Sequence, residues 1–188
     1  LPESITPPIV LDSNPFELRN VTVKYGDKLI LNNLSWTVKP HQHWWIKGEN
    51  GAGKSTLLSL ITGDHPQGFS NEVYLFGRKR GSGETIWEIK QNLGYVSSQL
   101  HMDYRVNCSA LAVVASGFFD SIGIYQQLPS SVRLKALEWL ACLGLSNMAD
   151  RPFRSLSWGQ QRLLLIARAM VKHPPILILD EPLHGLDG

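Results

Sequence analysis

The chain has 188 residues, 43% apolar and 18% charged, with 18 Lys and Arg against 16 Asp and Glu for a formal charge of +2. That length supports one ordinary domain with a real core, and the composition excludes a collagen, a coiled coil and a disordered tail. A charge this small gives no reason to expect nucleic acid or an anionic membrane as partner. Cys108 and Cys142 make no disulfide framework and read as reduced cytosolic thiols, and no run approaches the roughly 20 apolar residues of a membrane-spanning helix.

Residues 1–15 hold Pro2, Pro7, Pro8 and Pro15 and read as a linker, since proline removes backbone donors and favours extended geometry. Both ends of the sequence read as cut from a longer protein. Phe16, Leu18, Val21, Val23 and Tyr25 alternate as a strand with one irregularity near Asn20, and Gly26-Asp27 is a turn. Ile30-Leu31 and Leu34/Trp36/Val38 predict a second and a third short strand, closed by Pro40. Trp44-Trp45-Ile46-Lys47 predicts a short buried strand, with both tryptophans in the core. Residues 54–62 show helical spacing at Leu57, Leu58 and Ile61, ending at Gly63.

Residues 73–76 predict a strand, followed by Gly77 and a solvated basic turn, Arg78-Lys79-Arg80. A helix over 85–93 and a strand over 94–97 come next. From about Ser109 the pattern turns helical: 110–119, then 132–143 with Leu134, Leu137, Leu140 and Ala141 on one face, then 158–172, ended by Pro174-Pro175. Ile176-Leu177-Ile178-Leu179 is a continuous apolar run, as in a central strand covered on both faces. The alternation implies an α/β core with a helical insert near residues 100–157.

Two motifs carry chemistry. Gly48-Glu49-Asn50-Gly51-Ala52-Gly53-Lys54-Ser55 satisfies the phosphate-loop pattern G-x-x-x-x-G-K-[ST], after an apolar run and before a helix. Its glycines let successive N–H groups turn inward as an anion nest. The helix N-terminus adds its positive end, Lys54 adds a cation for the β- and γ-phosphates, and the Ser55 hydroxyl is a hard ligand for Mg²⁺. Farther on, the apolar run delivers Asp180 and Glu181 to a strand end, the edge where α/β sheets hold ligands. Asp180 suits Mg²⁺, and Glu181 is placed to polarise a water that attacks the γ-phosphate. Histidines 41, 43, 65, 101 and 173 show no metal-ligand spacing with the cysteines and read as structural.

Between these motifs lies Leu156-Ser157-Trp158-Gly159-Gln160-Gln161-Arg162. A phosphate loop, a helical insert, an L-S-x-G-Q segment, then Asp180-Glu181-Pro182 and Gly185-Leu186-Asp187 together resemble the nucleotide-binding domain of the ABC ATPases over residues 16–188. The resemblance implies a P-loop NTPase core of RecA type, with a mostly parallel sheet. An antiparallel β subdomain and an inserted α-helical subdomain would complete it, with core 16–98 and 158–188 and insert about 99–157. It implies ATP and Mg²⁺ as cofactors. Tyr25 matches the aromatic that stacks on adenine, against the alternative of a tyrosine packed on the sheet. Gly48, Asn50, Gly51, Ala52, Gly53, Lys54, Ser55 and Thr56 match the phosphate loop. Gln99 matches the loop glutamine that reaches Mg²⁺ and the attacking water. Ser157, Gly159 and Gln160 match the signature that contacts the γ-phosphate held by the opposite domain. Lys54, Gln99 and Glu181 form the catalytic set, Ser55, Gln99 and Asp180 the metal set, and Asp187 matches the interface-loop aspartate.

The resemblance also implies that each ATP is sandwiched between two cassettes, in one chain or a homodimer, so that a lone copy binds ATP and hydrolyses it poorly. Trp158 replaces the first glycine of the commonest L-S-G-G-Q form. The family's switch histidine would lie beyond a further strand, and His184 is too close to Glu181 to serve, which implies a fold truncated at its C-terminus. Stretches such as Thr62-Gly63-Asp64-His65-Pro66-Gln67-Gly68 and Gly81-Ser82-Gly83-Glu84-Thr85-Ile86-Trp87 resemble a twin-cassette branch named for molybdate transport. The expected location is the cytoplasm, or the inner face of the plasma membrane. The alternatives are an ATPase subunit driving a membrane permease and a ribosome- or DNA-associated regulatory ABC protein. With four prolines and few charges in the head, nucleic acid is not the expected partner.

Overall fold

The computed structural model describes residues 1–5, 9–48, 53–119 and 127–180. The chain divides into two compact units, one of Val10–Leu93 and one of Leu1–Ile9 with Gly94–Gly188.

The first unit is built on β1 (Phe16–Tyr25), β2 (Lys28–Val38), β3 (Glu72–Leu75) and β4 (Arg78–Lys79), an antiparallel sheet in the order β2-β1-β3-β4. Phe16, Leu18, Val21 and Val23 are buried on its inner face. Their alternation slips between Leu18 and Val21, where the register with β2 shifts and Asn20 takes φ 48°. Asn33, opposite, takes φ 49°. Neither bulge amide is left unpaired: Asn20 N donates to Ser35 Oγ at 2.9 Å and Asn33 N to Thr22 Oγ1 at 3.0 Å. Hydroxyls thus stand in for ladder carbonyls, and the two short strands expected over 30–38 are one bulged strand.

The helix α1 (Lys54–Ile61) stops before Gly63, and α2 (Ile86–Lys90) starts in a capping box between Thr85 and Glu88. The basic run 78–80 is solvated at Arg78 and Lys79, as expected, but it is not simply a turn. Arg78 and Lys79 form β4, and Arg80 is buried. Arg80 pairs with Glu84 at 2.7 Å, donates to Gly63 O at 3.1 Å and lies over the Phe69 ring at 4.4 Å. Burial pushes the Glu84 carboxyl up, but hydrogen bonds from the Gly81 and Ser82 amides and the Ser82 hydroxyl outweigh it and hold the group below its usual range.

Residues 44–47 are the main departure. They form no strand, and Trp44 and Trp45 are 54% and 79% exposed. Among the described residues no strand pairs with this run. Ile46 is half-buried, and the ring contacts of this run among the described residues are local. Trp44 meets Trp36 edge-on at 5.5 Å, and Lys47 lies 3.8 Å from the Trp45 ring centre.

The second unit contains β5 (Leu93–Ser97) from its second residue on, α3 (Ser98–Asp103), α4 (Ala110–Ser116), α5 (Ser130–Cys142), α6 (Trp158–Met170) and β6 (Ile176–Asp180), with β5 paired to β6. Its core is helical, with Val114, Trp139, Leu140 and Leu164 fully buried. The buried face of α5 is Val132, Ala136, Trp139 and Leu140; of the expected row Leu140 is buried and Leu137 packs half-buried against the core, whereas Leu134 is 61% exposed and Ala141 is exposed. The two rows share Leu140, and the buried face is turned toward the side that carries the large Trp139 ring. Similarly, β6 is covered on one face only, with Leu177 and Leu179 exposed and Ile176 and Ile178 half-buried. At Gly117, after α4, a Cβ would stand 2.1 Å from the Arg168 carbonyl of α6, so only glycine allows this approach.

No helix among the described residues is long and apolar enough to cross a membrane.

Candidate functional site

In the first unit the phosphate-loop residues 49–52, including Asn50, Gly51 and Ala52, lie outside the described residues. Gly48 is exposed and irregular. Gly53 is buried at φ 95°, and a Cβ there would meet Leu31 Cδ2 at 3.0 Å and Ile30 O at 3.3 Å. That tight, left-handed position turns the chain into α1. Among the described residues no side chain caps the helix, and its first turn holds no acid. The first amides of α1, with the positive end of the helix dipole, suit an anionic acceptor. Lys54 opens the helix half-buried, Ser55 is exposed and Thr56 is buried. Amides, an ammonium and a hydroxyl in succession fit a polyphosphate with its hard divalent cation.

Tyr25 ends β1 in the same unit, 50% exposed. Its hydroxyl lies 2.6 Å from Nε2 of His65, a residue only 5% exposed. In the sequence nothing sets His65 apart from the other scattered histidines, and only the tertiary contact singles it out.

In the second unit Asp180 ends β6 and accepts a hydrogen bond from the Tyr95 hydroxyl of β5 at 3.3 Å. The next residues on that strand's path lead to Gln99. Ser97 caps α3 through the Leu100 amide, so Gln99 stands in the first turn of a helix, not in the expected loop. It is exposed, and its Nε2 donates to Asp103 Oδ2 at 2.9 Å.

Ser157 caps α6. Its Oγ accepts from Gln160 N at 3.2 Å, while Gln160 Oε1 accepts from Ser157 N at 3.1 Å. Ser157 and Gly159 are exposed and Gln160 is half-buried. Trp158, the unusual residue of the signature, stacks on His101 of α3, with 3.5 Å between ring centres and 16° between planes. His101 Nε2 is 3.0 Å from Gln161 Oε1. Burial holds the His101 pKa below its ordinary value; the Gln161 hydrogen bond opposes this and the Arg162 charge adds to it. One histidine thus joins the helix of Gln99 to the start of the signature helix. Glu181, His184 and Asp187 lie outside the described residues.

The sequence matches the model of the family described as ABC transporter over residues 31–184. It is 64% identical over 171 residues to the ABC transporter ATP-binding protein ModF of Escherichia coli, covering 90% of this chain and 35% of that protein. It is 34% identical to the manganese transport system ATP-binding protein MntB of Bacillus subtilis, covering 93% of this chain and 67% of that one. Its fold matches CbiO1 of Clostridium perfringens, part of the ABC transporter complex CbiONQ, with a TM-score of 0.76, 26% identity and 94% of this chain and 68% of that one covered. The chain therefore spans about a third of the length of ModF. The α/β fold, the uncapped helix behind a glycine turn, the capped L-S-x-G-Q helix and these matches together place the chain in the ABC transporter family of ATP-binding cassettes.

Proposed function

We propose that this cassette binds Mg²⁺-ATP at the start of α1 and hydrolyses it when paired with a second cassette. The observation that carries the reading is the uncapped N-terminus of α1 behind Gly53, in one unit with the half-exposed Tyr25. Lys54 would hold the β- and γ-phosphates, Ser55 and Asp180 the cation, and Tyr25 the adenine. Mg²⁺ would neutralise the charge that builds on the phosphates. Gln99 and Glu181 would orient and activate the water.

The exposed Ser157, Gly159 and Gln160 would serve a nucleotide held by the other cassette. A lone cassette would then bind ATP and turn it over poorly. The length of ModF supports a partner in the same chain. An association with molybdate transport or homeostasis rests on the branch resemblance and ModF identity, and a cytoplasmic location, or one at the inner membrane face, on the family. The domain division proposed is a linker over 1–15 and a cassette over 16–188.

The test is steady-state phosphate release by the full-length protein and its Glu181→Gln variant. Turnover is expected to fall by at least about 100-fold, the scale of losing a general base, with ATP binding retained. Equal rates would remove Glu181 from the mechanism.

A second reading, an ATPase subunit driving a membrane permease, draws on the transport systems named for MntB and CbiO1. Co-purification of the full-length protein with an integral membrane protein from detergent extracts would favour it over a self-contained pair.

A further inference from the structure

We propose that His65 is a positioning residue for the nucleotide base: it holds the Tyr25 hydroxyl and so presets the ring that stacks on adenine. This rests on the reading of Tyr25 as the base-stacking aromatic.

The end of β1 is unusual in what pairs with it. The β3 strand reaches only from Phe16 to Arg19 along β1. Beyond it two side-chain amides continue the ladder. Asn71 accepts from Thr22 N through Oδ1 and donates to Thr22 O through Nδ2, each at 3.1 Å. Gln67 accepts from Lys24 N at 3.3 Å and donates to Lys24 O at 2.8 Å. Alternate residues of a strand direct their N–H and C=O groups to the same side, so positions 22 and 24 are paired as a neighbouring strand would pair them. The backbone is thereby fixed up to the residue before Tyr25.

The side chain is fixed next. His65 Nδ1 accepts the Gln67 amide at 3.0 Å. An accepting Nδ1 is unprotonated, so the neutral ring carries its hydrogen on Nε2. That nitrogen lies 2.6 Å from the Tyr25 oxygen. The imidazole therefore donates and the phenol accepts, which assigns the tautomer from its partners. The two rings are 5.9 Å apart between centres and tilted by 43°. His65 thus grips the hydroxyl end of Tyr25 without stacking over the ring.

His65 is also tied to α1. The amides of Asp64 and His65 both donate to Ser59 O, at 2.9 and 3.1 Å. The helix whose first turn faces the phosphates thus carries, just past its last turn, the group that sets the base-stacking ring. An aromatic held in place before binding spares the ligand the cost of ordering it.

The test uses the full-length protein without Mg²⁺, with any second phosphate loop silenced by replacing its lysine, and titrates ATP and tripolyphosphate by calorimetry. His65→Asn keeps an acceptor for the Gln67 amide and withdraws the donor from Tyr25. It is expected to weaken ATP roughly 3- to 10-fold, the scale of ordering one aromatic side chain, with tripolyphosphate unchanged. Tyr25→Phe should match it, and the double variant should lose no more than either single one. His65→Gln, long enough to donate to Tyr25, should restore ATP to within about twofold. If Tyr25→Ala weakens ATP while His65→Asn does not, the role of His65 is overturned. If Tyr25→Ala leaves ATP unchanged, the reading of Tyr25 itself fails. Equal weakening of ATP and tripolyphosphate by His65→Asn would show a general structural loss and overturn the proposal.

Discussion

Gly53 is where one residue type decides whether the site exists. Its φ of 95° is a conformation that costs an L-residue roughly 1–2 kcal/mol, and its missing Cβ leaves Leu31 and Ile30 in contact distance. Gly53→Ala would have to push the loop away from β2 and turn the first amides of α1 off their common focus. ATP affinity is expected to fall at least about tenfold, with the melting temperature lowered by a few degrees, as for a loss of about 1 kcal/mol. An alanine variant with unchanged ATP affinity would remove the phosphates from this helix end. The glycine and the lysine beside it are legible in the sequence because the spacing of the phosphate loop expresses a local requirement, backbone amides converging on an anion. His65 is not legible in the same way. Its contact with Tyr25 spans 40 positions, and no local pattern in a strand and a distant turn encodes a single side-chain contact between them.

At the level of elements, regular structure was readable where local chemistry decides it. The irregularity at Asn20, the stop before Gly63 and the strand expected over 94–97, which begins one residue earlier at Leu93, all follow from residues within a few positions. The short helix α3 is not legible from periodicity, because its six residues are too few for a pattern; its signal is the Ser97 cap. The face of α5 and the exposure of Trp44 and Trp45 depend on which neighbours are available, which periodicity does not contain.

One junction between elements has a pH signature. His101 packs against Trp158 and Gln161 of α6, with Arg162 the cation acting on it. Its pKa in the fold lies below the ordinary 6.5, chiefly because it is buried. Well above pH 6.5 the ring is neutral in both folded and unfolded chains. As the pH falls below that value the unfolded chain takes up the proton first, so stability is lost on acidification until the folded pKa is passed. The melting temperature is expected to drop as the pH falls through about 6.5, and less steeply in His101→Phe, which keeps a ring on Trp158 and cannot titrate. Parallel slopes for the two proteins would show that the junction does not sense protons.

The whole molecule poses a question that one cassette cannot answer: what, beyond its own helix, the exposed start of α6 meets. Ser157 caps α6 and stands exposed beside Gly159. If that end only begins a helix, any good capping residue should serve. If it meets the γ-phosphate of a second cassette, the cap must also be uncharged. Ser157→Asp separates the two, since aspartate caps as well as serine and sets a negative charge against the incoming phosphate. In the full-length protein this variant is expected to melt within a few degrees of wild type and to bind ATP at its own phosphate loop with unchanged affinity. Its turnover should fall by about 100-fold or more, the scale of removing a preorganised donor from developing charge. Ser157→Thr, which retains both cap and hydroxyl, should keep most of the activity. Wild-type turnover in Ser157→Asp would make the signature a helix start and nothing more. Loss of turnover with binding intact would mean that the catalytic unit is a pair of cassettes, each completing the site of the other.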